Sequence, residues 1–125
     1  MKKILVVDDD PDFLNLIEHG LKANNYKPYF LYETKYILQE IMEIKPDAIL
    51  LDIQQRKNVN GLNIYTTLKE SGKVPNTPII LISGLELTEK DLQALGGALF
   101  LKKPFTVAQL KAFLEEVMAP GNSPA

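Results

Sequence analysis

Short apolar, β-branched runs alternate with stretches of helical periodicity along the whole chain. Residues 3–7 (KILVV) form a continuous apolar run that stops at Asp8, the pattern of a strand buried on both faces. Asp10 followed by Pro11 predicts a helix start, with the aspartate as cap and the proline in the first turn. Phe13, Leu16, Ile17 and Leu21 recur at one-face spacing, and Asn24-Asn25 stops the helix. A weaker strand is expected over 27–31. Ile37, Leu38, Ile41 and Ile44 mark a second helix, closed by Pro46. Residues 48–51 (AILL) are another buried run ending in an aspartate, Asp52, and the polar, aperiodic stretch 53–60 is a loop. Leu62, Tyr65 and Leu68 predict a third helix. A strand over 78–82 (PIILI) is closed by Ser83-Gly84, and a short helix over 88–95 carries a capping pair, Thr88 and Asp91. The last strand is expected over 98–101. Thr106 and Gln109 then form a capping-box pattern ahead of Leu110, Phe113, Leu114 and Val117 on one face.

Five strand–helix pairs in strict alternation predict an α/β fold, a parallel sheet covered by helices on both faces. Crossovers in such sheets are right-handed. Ligands bind beyond the carboxyl ends of the strands, where the strand order reverses.

Composition narrows the function classes. At 125 residues the chain fits one domain with a real core. A formal net charge of -2 gives no electrostatic reason for direct nucleic-acid or membrane binding. The absence of cysteine excludes disulfides and thiolate metal sites. No apolar run approaches the roughly 18 residues needed to span a bilayer. The apolar run at 4–7 is too brief for a signal-peptide core, so a cytoplasmic location is expected. Residues 1–119 read as the domain and 120–125, rich in Pro, Gly, Asn and Ser, as a tail or linker. His19, the only histidine, lies off the apolar stripe of its helix and is expected at the surface. Tyr26, Tyr29, Phe30, Tyr32 and Tyr36 are expected to pack around the second strand.

The residues just after the strands are selective. Asp8, Asp9 and Asp10 follow the first, Asp52 the third, Ser83 the fourth, and Lys102 and Lys103 the fifth. One aspartate suffices as a cap, which leaves the others for chemistry. Carboxylates in one cleft repel unless a cation joins them. With oxygen donors only, a hard ion such as Mg²⁺ suits the set. A carboxylate can also be the nucleophile toward phosphorus, while a hydroxyl and an amine donate to the transferred phosphoryl oxygens. Each residue alone has an ordinary explanation as a cap, turn or surface side chain. Their placement at the same end of successive strands is far more specific.

These motifs, KKILVVDDDPDFLNLI, DAILLDI, PIILISG and FLKKPF, closely resemble the response-regulator receiver family over residues 2–118. The resemblance implies a doubly wound, flavodoxin-like sheet of five strands in the order 2-1-3-4-5 with five helices. It implies two-component phosphorelay signalling. Asp52 would be the phosphoacceptor and a Mg²⁺ ligand, Asp9 a direct ligand, Asp8 a ligand partly through water, and the Gln54 backbone carbonyl a further ligand. Ser83 would be the switch hydroxyl, Lys103 the lysine paired with Asp52, and Phe100 the switch aromatic. A cis peptide is implied between Lys103 and Pro104. Partners would be a histidine kinase or phosphotransfer protein, a downstream protein or linked effector domain, and a second copy through the 88–118 face. The chain would not be an enzyme beyond its own phosphorylation and slow dephosphorylation.

Three departures from the family pattern stand out. The loop IQQRKNVNG after Asp52 is one residue longer than the norm, 83–103 is about two residues shorter, and Ala98-Leu99 replaces the usual acidic pair. The shortening predicts a stunted or displaced fourth helix. Two other functions compete: a receiver-like adaptor that works without phosphorylation, and a phosphatase with an aspartyl intermediate. A common phosphatase family has a second acid two residues after its nucleophile, where this chain has Gln54.

Overall fold

Alternate residues of the central strands enter two separate apolar clusters, one on each face of the sheet. The computed structural model describes residues 1–53 and 61–119. Five strands and five helices alternate: β1 (Lys2–Val7), α1 (Pro11–Ala23), β2 (Tyr26–Leu31), α2 (Ile37–Ile44), β3 (Ala48–Asp52), α3 (Gly61–Glu70), β4 (Ile79–Ser83), α4 (Glu89–Ala94), β5 (Leu99–Lys102) and α5 (Val107–Val117). The strands are parallel in the order β2-β1-β3-β4-β5, as the resemblance implied. Ile4, Val6, Leu50 and Ile80 pack against Leu14, Ile17 and Leu21 of α1 and Leu110 and Leu114 of α5. Leu5, Val7, Leu51 and Leu81 point the other way, toward Ile37 and Ile41 of α2 and Tyr65 and Leu68 of α3. This two-residue alternation, buried on both sides, is why β1, β3 and β4 read as unbroken apolar runs.

The helix ends follow their sequence signals. The Asp10 carboxylate accepts from the Asp12 N–H at 3.0 Å, and Pro11 opens the first turn of α1. The helix stops at Asn24, whose side-chain amide donates to the Gly20 carbonyl at 2.8 Å, and Asn25 is left-handed with φ 65°. Thr88–Asp91 and Thr106–Gln109 each form a reciprocal capping box. α4 is short, with six residues and none fully buried, in keeping with the contracted 83–103 segment.

Two packing expectations need correction. Leu16 is not on the core stripe of α1 but 58% exposed, and Leu14 takes its place. Leu14, Ile17 and Leu21 stand at i, i+3 and i+7 and form one stripe, from which Leu16 is turned roughly 100° or more around the helix. At Gly20, α1 and α5 approach so closely that an added Cβ would stand 2.6 Å from a Val107 methyl. The aromatic cluster also divides. Tyr26 is buried and Tyr29 and Phe30 pack against the core, whereas Tyr32 and Tyr36 are exposed. His19 is exposed, as expected. The expected tail over 120–125 lies outside the described residues.

Candidate metal centre

Register carries the sequence ends of the strands to one edge. Val7 lies opposite Leu31 on one side and Leu51 on the other, Asp52 opposite Ile82, and Ser83 opposite Lys102. Asp8 continues β1 by donating its N–H to the Leu31 carbonyl at 3.1 Å. Lys103 continues β5 by donating its N–H to the Ser83 carbonyl at 2.7 Å. Asp8, Asp52 and Ser83 are buried, and Asp9 is half-buried beside them.

The carboxylates of Asp8, Asp9 and Asp52 each offer an oxygen, and these atoms lie within 4.8 Å of one another. Lys103 reaches the same place. Its ammonium donates to one Asp8 oxygen at 2.7 Å and lies 3.6 Å from Asp52. The other Asp8 oxygen accepts from the Asp10 N–H at 2.9 Å. Thus of the three consecutive aspartates, Asp10 caps the helix, Asp8 is fixed by backbone and lysine, and Asp9 joins the cluster. Asp8, rather than Asp52, is the nearer partner of Lys103.

Among the described residues, this pocket brings three carboxylates to one ammonium. The all-oxygen donor set, placed at the strand ends, fits a hard divalent ion. Gln54, whose carbonyl was expected to complete the shell, lies outside the described residues.

Ser83 and Phe100, the expected switch residues, fall on the same side of the sheet. Ser83 is fully buried, and its hydroxyl accepts from the Leu85 N–H at 3.0 Å. Phe100 lies opposite Leu81 in the register, and both belong to the α2–α3 side of the sheet. Ser83, two residues beyond Leu81, falls on that same side. The Lys103–Pro104 peptide is cis. One contact escaped the sequence reading: the Lys103 ammonium sits 3.9 Å from the ring centroid of Phe13. Phe13 gave only a helical-periodicity signal.

Comparison with known proteins agrees with this geometry. The profile of the response regulator receiver domain matches residues 4–115. The chain belongs to the response regulator receiver family. It is 29% identical over 125 residues to the transcriptional regulatory protein PrrA of Mycobacterium tuberculosis, covering 98% of this chain and 52% of PrrA. It is 33% identical over 117 residues to the nisin biosynthesis regulatory protein NisR of Lactococcus lactis, covering 90% of this chain and 48% of NisR. The chain therefore spans about half the length of these curated relatives. Among solved structures, the N-terminal domain of the nisin resistance regulator NsrR superposes with a TM-score of 0.81 at 31% identity, covering 94% of this chain and 98% of that one. Chemotaxis protein CheY4 of Vibrio cholerae shares the fold, with a TM-score of 0.81 at 24% identity over 94% of this chain and 98% of its own. Receiver domains are signalling domains of two-component systems, and they bind Mg²⁺ at an acidic pocket of the kind that Asp8, Asp9 and Asp52 form here. Among the described residues no helix is long and apolar enough to cross a membrane.

Proposed function

We propose that this receiver is a Mg²⁺-dependent phosphoacceptor in which Asp52 takes a phosphoryl group from a histidine kinase or phosphotransfer protein. The observation that carries the reading is the position of Asp52. It is 4% exposed, stands at the end of a central strand, and its carboxylate shares a 4.8 Å cluster with Asp8 and Asp9 while Lys103 lies 3.6 Å away.

An Asp52 oxygen attacks phosphorus in line, so that an O–P bond forms as the P–N bond to the donor histidine breaks, leaving an aspartyl phosphate. Asp8, Asp9 and Asp52, with the Gln54 carbonyl, would hold Mg²⁺, which supplies charge against the phosphoryl oxygens. Lys103 turns from Asp8 and Asp52 toward one phosphoryl oxygen. Ser83 gives up the Leu85 N–H and donates its proton to another. That move clears space beside Phe100, whose packing against the α2–α3 side then shifts the 88–118 face. Because Phe100 has no hydroxyl, the readout is through packing. Water later releases phosphate slowly, so the chain is a switch rather than a turnover enzyme.

The domain is taken as 1–119 with 120–125 a linker or tail, working in the cytoplasm. The relatives' names as regulatory proteins support an output through an effector domain or downstream protein, to which any nucleic-acid binding would belong. A homodimer through the 88–118 face is an alternative route to output. Incubation with acetyl phosphate and Mg²⁺ is expected to add one phosphoryl group by intact mass, and Asp52→Asn to abolish it. No mass gain would favour the phosphorylation-independent adaptor.

A further inference from the structure

We propose that Phe13 is a positioning residue for Lys103, holding its ammonium against the acidic pocket through the face of the aromatic ring. The inference rests on the phosphoacceptor reading and adds to it a residue that touches neither metal nor phosphate. Lys103 is otherwise a poor anchor. Its charge sits on a flexible four-carbon stem, and its side chain is 22% exposed. Two carboxylates pull it from one side, at 2.7 Å and 3.6 Å. The Phe13 ring meets it from another, with the nitrogen 3.9 Å from the centroid. Cation–π contacts extend to about 6 Å, and three lysine–tyrosine contacts among the described residues lie at 5.3 to 5.7 Å. The Lys103 contact is thus unusually close.

The ring itself is held. Phe105 meets Phe13 edge-on, with centroids 5.8 Å apart and planes at 88°, the favoured T-shaped arrangement. Phe13 lies in the first turn of α1, three residues after the Asp10 cap, and Phe105 lies two residues after Lys103. The elements that carry Asp9 and Lys103 are therefore joined through two aromatic rings. Packing alone would need only an apolar side chain at 13. A ring face does more, because it attracts the ammonium while neither neutralising it nor offering it a competing acceptor. The full charge remains directed at Asp8, Asp52 and an incoming phosphoryl oxygen.

The test compares Phe13→Leu, Phe13→Met and Phe13→Tyr with wild type, using Ile17→Val as a core change that avoids Lys103. In wild type and Phe13→Tyr, the ring current should move the Lys103 ε-methylene protons upfield, and the shift should vanish in the Leu and Met variants. With acetyl phosphate and Mg²⁺, phosphorylation should slow roughly threefold to tenfold in Phe13→Leu or Phe13→Met. Phe13→Tyr should stay within about twofold of wild type. Ile17→Val should lose stability with neither readout changed. Two apolar variants guard against one failing to fold. The proposal is overturned if both keep the wild-type rate and Lys103 shifts, or if Ile17→Val slows the reaction as much. A wild-type protein that accepts no phosphoryl group defeats the underlying reading instead, and is seen before any variant is compared.

Discussion

Replacing Asp52 by asparagine should make the metal-free protein more stable while destroying its chemistry. The substitution removes one charge from a cluster in which, among the described residues, three carboxylates meet one ammonium. At an effective dielectric of about 20, two like charges at the 4.8 Å limit repel by about 3.5 kcal/mol. Asp52 has two such neighbours, Asp8 and Asp9. Its attraction to Lys103 at 3.6 Å is about 4.6 kcal/mol on the same scale. Repulsion therefore exceeds attraction by about 2 kcal/mol, and the asparagine side chain keeps an oxygen that can accept from Lys103. Urea unfolding in EDTA, followed by far-UV circular dichroism, should show a midpoint raised by about 1 M with an unchanged slope. Adding Mg²⁺ should stabilise the wild type more than the variant, narrowing or reversing the gap. If Asp52→Asn is instead destabilised by about 1 kcal/mol or more in EDTA, the Lys103–Asp52 attraction outweighs the repulsions. The electrostatic reasoning then fails.

Two further outcomes test the scaffold. Gly20→Ala should destabilise despite the better helix propensity of alanine, by about 1–3 kcal/mol of overpacking less about 1 kcal/mol of helix gain, because its Cβ would meet Val107 at 2.6 Å. Adding Val107→Ala should recover most of that loss in a double-mutant cycle, and simple additivity would contradict the contact. Asp91 should make α4 acid-labile. Hydrogen bonds from the Thr88 backbone, then its side chain, hold the carboxyl below its ordinary value of 3.8. The capping contribution is therefore complete above that value and lost as pH falls through the lowered one. Hydrogen-exchange protection over 88–95, corrected for intrinsic rates, should fall on acidification in wild type, and that acid step should be absent in Asp91→Asn.

Much of this fold could be read in the sequence because local signals and burial agree. The inner residues of β1, β3 and β4 are buried on both faces and had to be apolar, and the runs stop at Asp8, Asp52 and Ser83. Caps at Asp10, Thr88 and Thr106 are local hydrogen-bond chemistry, legible from spacing alone. What failed depended on contacts distant in sequence. The face of α1 was misread at Leu16 because two overlapping stripes fit the helical spacing, and packing against the sheet buries the one with Leu14. Lys103 does lie 3.6 Å from Asp52, but its contact with Asp8 at 2.7 Å is shorter, and only side-chain geometry ranks the two. Phe13 gave a periodicity signal alone, and nothing in that signal tells a core phenylalanine from one whose face meets an ammonium.

The most direct measurement locates the phosphoryl group itself. After reaction with acetyl phosphate and Mg²⁺, borohydride reduction converts an aspartyl phosphate to homoserine, which peptide mass spectrometry can place. The account predicts homoserine at position 52 alone, dependent on Mg²⁺. A modification at another position, or none with the wild-type protein folded and Mg²⁺ present, would contradict it.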